Sequence, residues 1–119
     1  MAINNALAGV AVRSLEDSLP WYVRLLERTP DTRPMPGVAE WTFANGGCLQ
    51  VFQDRQRAGA SSATLVEDDL GQRLATLRAI GIPVGATSES DVVNTAIVED
   101  PDGNQVVFAE ARVEEAVAT

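Results

Sequence analysis

Close to its C-terminal end the chain reads Val98-Glu99-Asp100-Pro101-Asp102-Gly103-Asn104-Gln105, with acids at 99, 100 and 102. Carboxylates packed this closely could share a divalent cation or divide acid and base work between them. The same letters also spell a turn. Asp at the first position, Pro at the second and Gly at the fourth is the preferred order of a type I turn. Proline presets φ at its position, and the Asp100 side chain can hold the turn's own amides. As the tip of a hairpin, Asp100 and Asp102 need no functional explanation.

The rest of the chain narrows the chemistry further. There is no histidine, and all nine basic residues are arginine. Histidine is the commonest general base and a leading ligand for zinc, iron, copper and nickel, while lysine is the residue that forms Schiff bases. A Ser-His-Asp triad, a Cys-His pair and every histidine-containing zinc motif are therefore excluded. Acid and base work would fall to carboxylates, to Tyr22 or to Cys48. Cys48 has no histidine or lysine beside it to lower its pKa, so an inert apolar role is expected. Whether the chain is an enzyme stays open at this point, with the balance against.

At 119 residues the chain is one domain. Its net charge of -8 would be repelled by a nucleic-acid backbone or an anionic membrane surface, and it favours a cationic ligand. A single cysteine permits no intrachain disulfide, which suits a reducing compartment. The apolar run Leu7 to Val12 is too short to span a bilayer, and no lysine or arginine precedes it to mark a signal peptide. The expectation is a soluble, cytoplasmic protein.

These groups must be positioned by a recognisable set of elements. Residues 5–12 read as a strand. Ser14 is a candidate N-cap, with Asp17 three residues on, and Leu15, Leu19, Tyr22, Leu25 and Leu26 follow at helical spacing. Pro20 is expected to kink this helix or restart it, and Thr29-Pro30 to end it. Val38–Phe43 and Cys48–Phe52 read as strands joined by Asn45-Gly46-Gly47. Ser61–Val66 is a further strand. Asp68 begins a second helix with Leu70, Leu74, Leu77 and Ile80 on its apolar face, Gly81 after it and Pro83 beyond. Strands at 83–86, 94–98 and 105–109 complete the chain. Val12 and Val66, Ser14 and Asp68, and Arg24 and Arg78 are each 54 positions apart. The plan is thus two βαβββ modules, 1–57 and 58–119, within one α+β domain.

The order of a strand, the Ser14-Leu15-Glu16-Asp17-Ser18-Leu19-Pro20-Trp21-Tyr22 helix, a Gly-Gly hairpin, a second helix and a closing Asp-Pro-Asp-Gly-Asn strand resembles the vicinal oxygen chelate superfamily. That group includes glyoxalase I, the bleomycin- and fosfomycin-resistance proteins and the extradiol dioxygenases. The resemblance covers essentially the whole chain. It implies paired βαβββ modules whose curved mixed sheet encloses a cavity, often completed by a second subunit. In the metal-dependent members four strands each supply a ligand. Counted from the motifs, those positions here are Leu7, Gln50, Ser62 (Ser61 if the register slips by one) and Val107. Leu, Gln, Ser and Val cannot bind a catalytic divalent ion, so no metal and no other cofactor is expected.

What the resemblance leaves is a scaffold with a lined pocket. Period-2 alternation sets Gln105 and Ala109 with Val107, and Cys48 and Phe52 with Gln50. On the Val38–Phe43 strand, which helps line the pocket in this family, Trp41 and Phe43 share a face. Parity then sets Glu40 opposite Trp41 and Glu110 opposite Val107. The expected ligand-binding residues are Leu7, Trp41, Gln50, Phe52, Ser62, Gln105 and Val107, a mixture suited to an organic molecule. Trp21 and Tyr22 are expected in the core, and Arg55 and Arg57 in a solvated link. The leading reading is a metal-free binding or sequestering protein for a small organic ligand, cationic compounds being favoured by charge, that works as a homodimer. The alternatives are a lyase, isomerase or dioxygenase of family type with a non-standard site, and a degenerate paralogue serving as a dimer partner.

Overall fold

The computed structural model describes residues 2–111, and the expected second module's residues 112–119 lie outside it. The elements run β1 (Leu7–Val12), α1 (Leu15–Leu26), β2 (Val38–Thr42), β3 (Cys48–Gln53), β4 (Ser62–Val66), α2 (Leu70–Ala79), β5 (Thr87–Glu89), β6 (Val93–Glu99) and β7 (Gln105–Ala111). The architecture is α+β, with a three-stranded sheet ordered β1-β3-β2 and a four-stranded sheet ordered β4-β7-β6-β5. An isolated antiparallel bridge between Thr32 and Glu40 adds a vestigial fourth position beside β2. The same plan is therefore laid down twice, with Thr32 standing where β5 stands in the repeat.

The chain forms two compact units. Among the described residues, one holds 2–63 together with Asp100–Gln105, and the other holds Thr64–Glu99 and 106–111. In the first unit α1 begins as expected, with the Ser14 side chain accepting from the Asp17 N–H and the Leu15 N–H donating to Gln53 Oε1. It runs through Pro20 without restarting, because the missing N–H strips a bond only from the exposed Glu16 carbonyl. It stops at Leu26, with Glu27 in the left-handed conformation at φ 60°, two residues before the expected Thr29-Pro30 boundary. β1 pairs parallel to β3, β2 pairs antiparallel to β3, and Val10, Val12, Leu49, Val51, Ala39, Trp41, Leu15, Tyr22 and Leu25 are buried.

In the second unit α2 is capped by Asp69, whose side chain accepts from the Gln72 N–H. The cap sits one residue later than the 54-residue spacing implied. The helix closes in a Schellman motif. Gly81 N–H donates to Arg78 O and Ile82 N–H to Leu77 O, with the apolar pair Leu77 and Ile82 both buried. The strand expected at 83–86 is displaced to Thr87–Glu89. Gly85 N–H donates to Ile97 O while Ile97 N–H donates to Ala86 O, so two residues oppose one. That bulge, next to a proline without an N–H, breaks the regular ladder. β7 lies beside β4 in the same direction, since Gln105 N–H donates to Ser61 O and Glu67 N–H to Ala109 O. Among the described residues no helix is long and apolar enough to cross a membrane.

Candidate functional site

The acidic turn proves to be a structural staple of the first unit. Asp100 is buried, and its Oδ1 accepts from the backbone N–H groups of Asp102 and Asn104, each at 2.9 Å. Its Oδ2 accepts from the Tyr22 hydroxyl at 2.7 Å and from Asn104 Nδ2 at 2.8 Å. Asn104, also buried, donates to Ala11 O at 2.7 Å and accepts from the Ser61 N–H at 2.8 Å. Its amide thus ties β1 to the residue just before β4. Asp102 points the other way and accepts from the Arg13 N–H at 2.8 Å. Gly59, at φ +91°, lets the backbone pass so close that a Cβ would stand 2.6 Å from Asp102 O. Every acceptor of Asp100 is spent on the fold.

That network sets the state of Tyr22. Burial, and next to it the negative charge of Asp100, pushes the phenol far above its usual range. The folded state therefore keeps this proton at pH values where the unfolded chain releases it. Stability is unaffected by Tyr22 below about pH 10 and falls as pH rises beyond that. Tyr22 is the sole tyrosine, so tyrosinate absorbance reads it alone. The expected result is no ionisation until the fold is lost, and a phenol titrating near pH 10 in the folded protein would contradict the burial. Tyr22→Phe should flatten the alkaline limb, leaving the share of Cys48, whose thiol is also pushed up.

The three-stranded sheet has two unlike faces. One packs on α1 and carries Trp41, paired in register with Leu49, both fully buried. The Trp41 ring lies 6.2 Å from that of Tyr22, and its Nε1 donates to Arg28 O at 3.0 Å. This corrects the expectation that Trp41 lines a pocket with Gln50. Register places Glu40, not Trp41, opposite Gln50. Trp21, expected in the core, is only half-buried and touches Tyr22 edge-on at 4.8 Å.

The other face carries Leu7 and Gly9 from β1, Cys48, Gln50 and Phe52 from β3, and Glu40 and Thr42 from β2. Leu7 is 52% exposed, and Gln50, Phe52, Glu40 and Cys48 are half-buried. The Phe52 ring lies against Gly9, where a Cβ would sit 3.2 Å from the ring edge, so the missing side chain is what lets the ring lie low on the sheet. The Arg57 guanidinium stands 5.3 Å from the Phe52 ring centre. Gln50 Nε2 donates to Glu40 Oε2 at 2.7 Å, and the Thr32 hydroxyl donates to Glu40 Oε1 at 3.3 Å. Cys48 shares this face, its thiol raised by burial and then by the Glu40 charge, so at neutral pH it is protonated and a poor nucleophile.

The expected residues are thus sorted. Leu7, Gln50 and Phe52 come together on one face, while Trp41 lies on the opposite one. Ser62 and Gln105, both exposed, and the half-buried Val107 lie on the face of β4 and β7 opposite buried Ala63, Val106 and Phe108. Glu40, Gly9 and Arg57 were missed. The loop length held the signal for Glu40. Phe43 N–H donates to Gly47 O and Gly46 N–H to Phe43 O, and counting back from the Phe43–Gly47 pair puts residue 40 opposite 50. The donors that share this face with Leu7 and Gln50 do not fit a transition metal. Glu40 is the lone carboxylate there and is bonded to Gln50 and Thr32. Among the described residues no group of three or more Cys, Asp or Glu side chains is placed to hold an ion.

No family model and no curated protein sequence matches the chain. Solved structures do. A glyoxalase/bleomycin resistance protein from Catenulispora acidiphila DSM 44928 is 29% identical, with a TM-score of 0.82 over 91% of this chain and 98% of its own. TnmS3, an antibiotic binding protein from Streptomyces sp. CB03234, is 21% identical with a TM-score of 0.78, over 93% of this chain and 98% of its own. A bleomycin-binding protein complexed with bleomycin is 18% identical with a TM-score of 0.73, over 91% and 98%. Doubled modules, the stapled Asp-Pro-Asp-Gly-Asn turn and these neighbours agree: the chain has the glyoxalase/bleomycin-resistance fold of the vicinal oxygen chelate superfamily.

Proposed function

We propose that the chain is a metal-free, homodimeric binding protein for a small organic molecule, received on the Leu7–Gln50–Phe52 face of the three-stranded sheet. The observation that carries this reading is Phe52. An aromatic ring laid over a glycine, half exposed and flanked by an ordered polar pair, is a stacking platform with orienting groups beside it. Ser62, Gln105 and Val107 offer a comparable mix on β4 and β7. The antibiotic-binding and bleomycin-binding neighbours support the same class of function. Dimerisation is supported by the edge strands β1 and β4, each with one side unpaired in its sheet, and by the exposed Leu7 and Val66.

Native mass spectrometry of the purified protein against a panel of aromatic compounds, charged and uncharged, tests all three parts together. The expected spectrum is a dimer without bound metal that gains the mass of a ligand. Phe52→Ala should weaken that ligand by about 1–3 kcal/mol, roughly 5- to 150-fold, while leaving the dimer folded. A monomer, a stoichiometric metal, or a ligand indifferent to Phe52→Ala would each overturn its part of the reading.

A further inference from the structure

The open face of the first unit is chemically two-ended. At one end Gln50 commits one of its two Nε2 hydrogens to Glu40, and the pair offers the Gln50 carbonyl and the charged Glu40 carboxylate as acceptors beside the one N–H that remains. At the other end Arg57 presents only donors. Its ion pair with Asp54 is long, at 4.0 Å, with the Arg57 side chain 69% exposed, so the guanidinium is not committed to that partner. Between them lies the Phe52 ring, with the Arg57 guanidinium 5.3 Å from its centre. Gln50 and Phe52 are two residues apart on one strand, roughly 7 Å along the backbone, and both head groups reach further outward.

We infer that this face selects planar amphoteric ligands, with an anionic group against Arg57, an ammonium or similar donor against Glu40 and Gln50, and a flat ring over Phe52. The inference rests on the binding role proposed above and sharpens it. The chain's net charge of -8 favours any cation at long range. The Arg57 guanidinium over the Phe52 ring adds a local site of the opposite sign. A ligand carrying both charges takes the place of the guanidinium over the ring while its anionic group keeps Arg57 paired, whereas a purely cationic one displaces Arg57 with no compensating contact.

Norfloxacin is the probe: a flat fused ring with a carboxylate at one end and a piperazinium at the other. Its ethyl ester keeps only the cation, and its N-acetyl derivative only the anion. Titration by quinolone fluorescence at low salt should show norfloxacin binding about tenfold tighter than either derivative, a difference of about 1.4 kcal/mol. Arg57→Gln should weaken norfloxacin and the N-acetyl form about tenfold and leave the ester no weaker than before. Glu40→Gln, which keeps one acceptor oxygen for Gln50 while the Thr32 hydroxyl can accept from the new amide, should weaken norfloxacin and the ester and leave the N-acetyl form unchanged. Three forms that bind equally, lose affinity with Phe52→Ala and ignore both charge variants would overturn the amphoteric selection while sustaining the site. No binding by any form would also overturn it, and the broader panel then decides the binding role independently.

Discussion

Trp41→Ala is expected to lower unfolding free energy by about 3–5 kcal/mol, the usual cost of removing a large aromatic from a packed core. That is a large share of the roughly 5–15 kcal/mol that holds a typical domain folded. The residue is fully enclosed, so nothing but rearrangement of Leu49, Tyr22 and their neighbours could fill the void. Truncation also orphans Arg28 O, the acceptor of its indole N–H. Trp21→Ala, at a half-buried position on the same unit, should cost well under half as much. Urea denaturation of the two variants separates the cases. A Trp41→Ala protein of near-normal stability would mean that the ring does not fill the α1-side core.

Asn104→Ala should be comparably severe, about 3–5 kcal/mol. Two buried bonds and one part-buried bond vanish, and they leave the Ser61 N–H, Ala11 O and one Asp100 oxygen short of a partner. Each unmade buried bond costs about 1–3 kcal/mol. Asn104→Asp should be worse at neutral pH than at acid pH, because it sets a second carboxylate against Asp100 Oδ2 in the buried turn. Asp102→Ala is the control, since its bond to the Arg13 N–H lies at an exposed position and should be worth only about 1 kcal/mol. If the three variants melted alike, the staple would not be the separately stabilised device described here.

The doubled plan, the first helix start, the second helix stop and the closing turn were legible from the chain because each is written in local chemistry. Ser14 with Asp17, the Gly81 stop and Asp100-Pro101-Asp102-Gly103 name their conformations almost without context. The faces of β2 were not legible in the same way. Val38-Ala39-Glu40-Trp41-Thr42 is apolar on one face and mixed on the other, and an aromatic suits either a lining or a core. Only the register across the Phe43–Gly46 turn decides, and it sends Trp41 to the helix and Glu40 to the open side. β5 failed for another reason. Three exposed residues, Thr87, Ser88 and Glu89, carry no hydrophobic period, and the bulge at Gly85 and Ala86 shifts where pairing becomes regular. Gly9 and Arg57 matter through what lies over them or beneath them, which no spacing along the chain expresses.

The membership of Asp100–Gln105 in the first unit bears on how the polypeptide acquires its structure during synthesis. The bonds from Tyr22 to Asp100 and from Ala11 to Asn104 span 78 and 93 positions. The N-terminal half therefore leaves the ribosome with its phenol and its β1 edge still lacking partners, and it stays so until residues 100–105 emerge. Such distant closures slow folding, since the loop entropy is lost before the contacts repay it. An emerging chain of this design has no early folded half. The first unit gains its Tyr22 and Ala11 partners only once residues 100–105 have emerged.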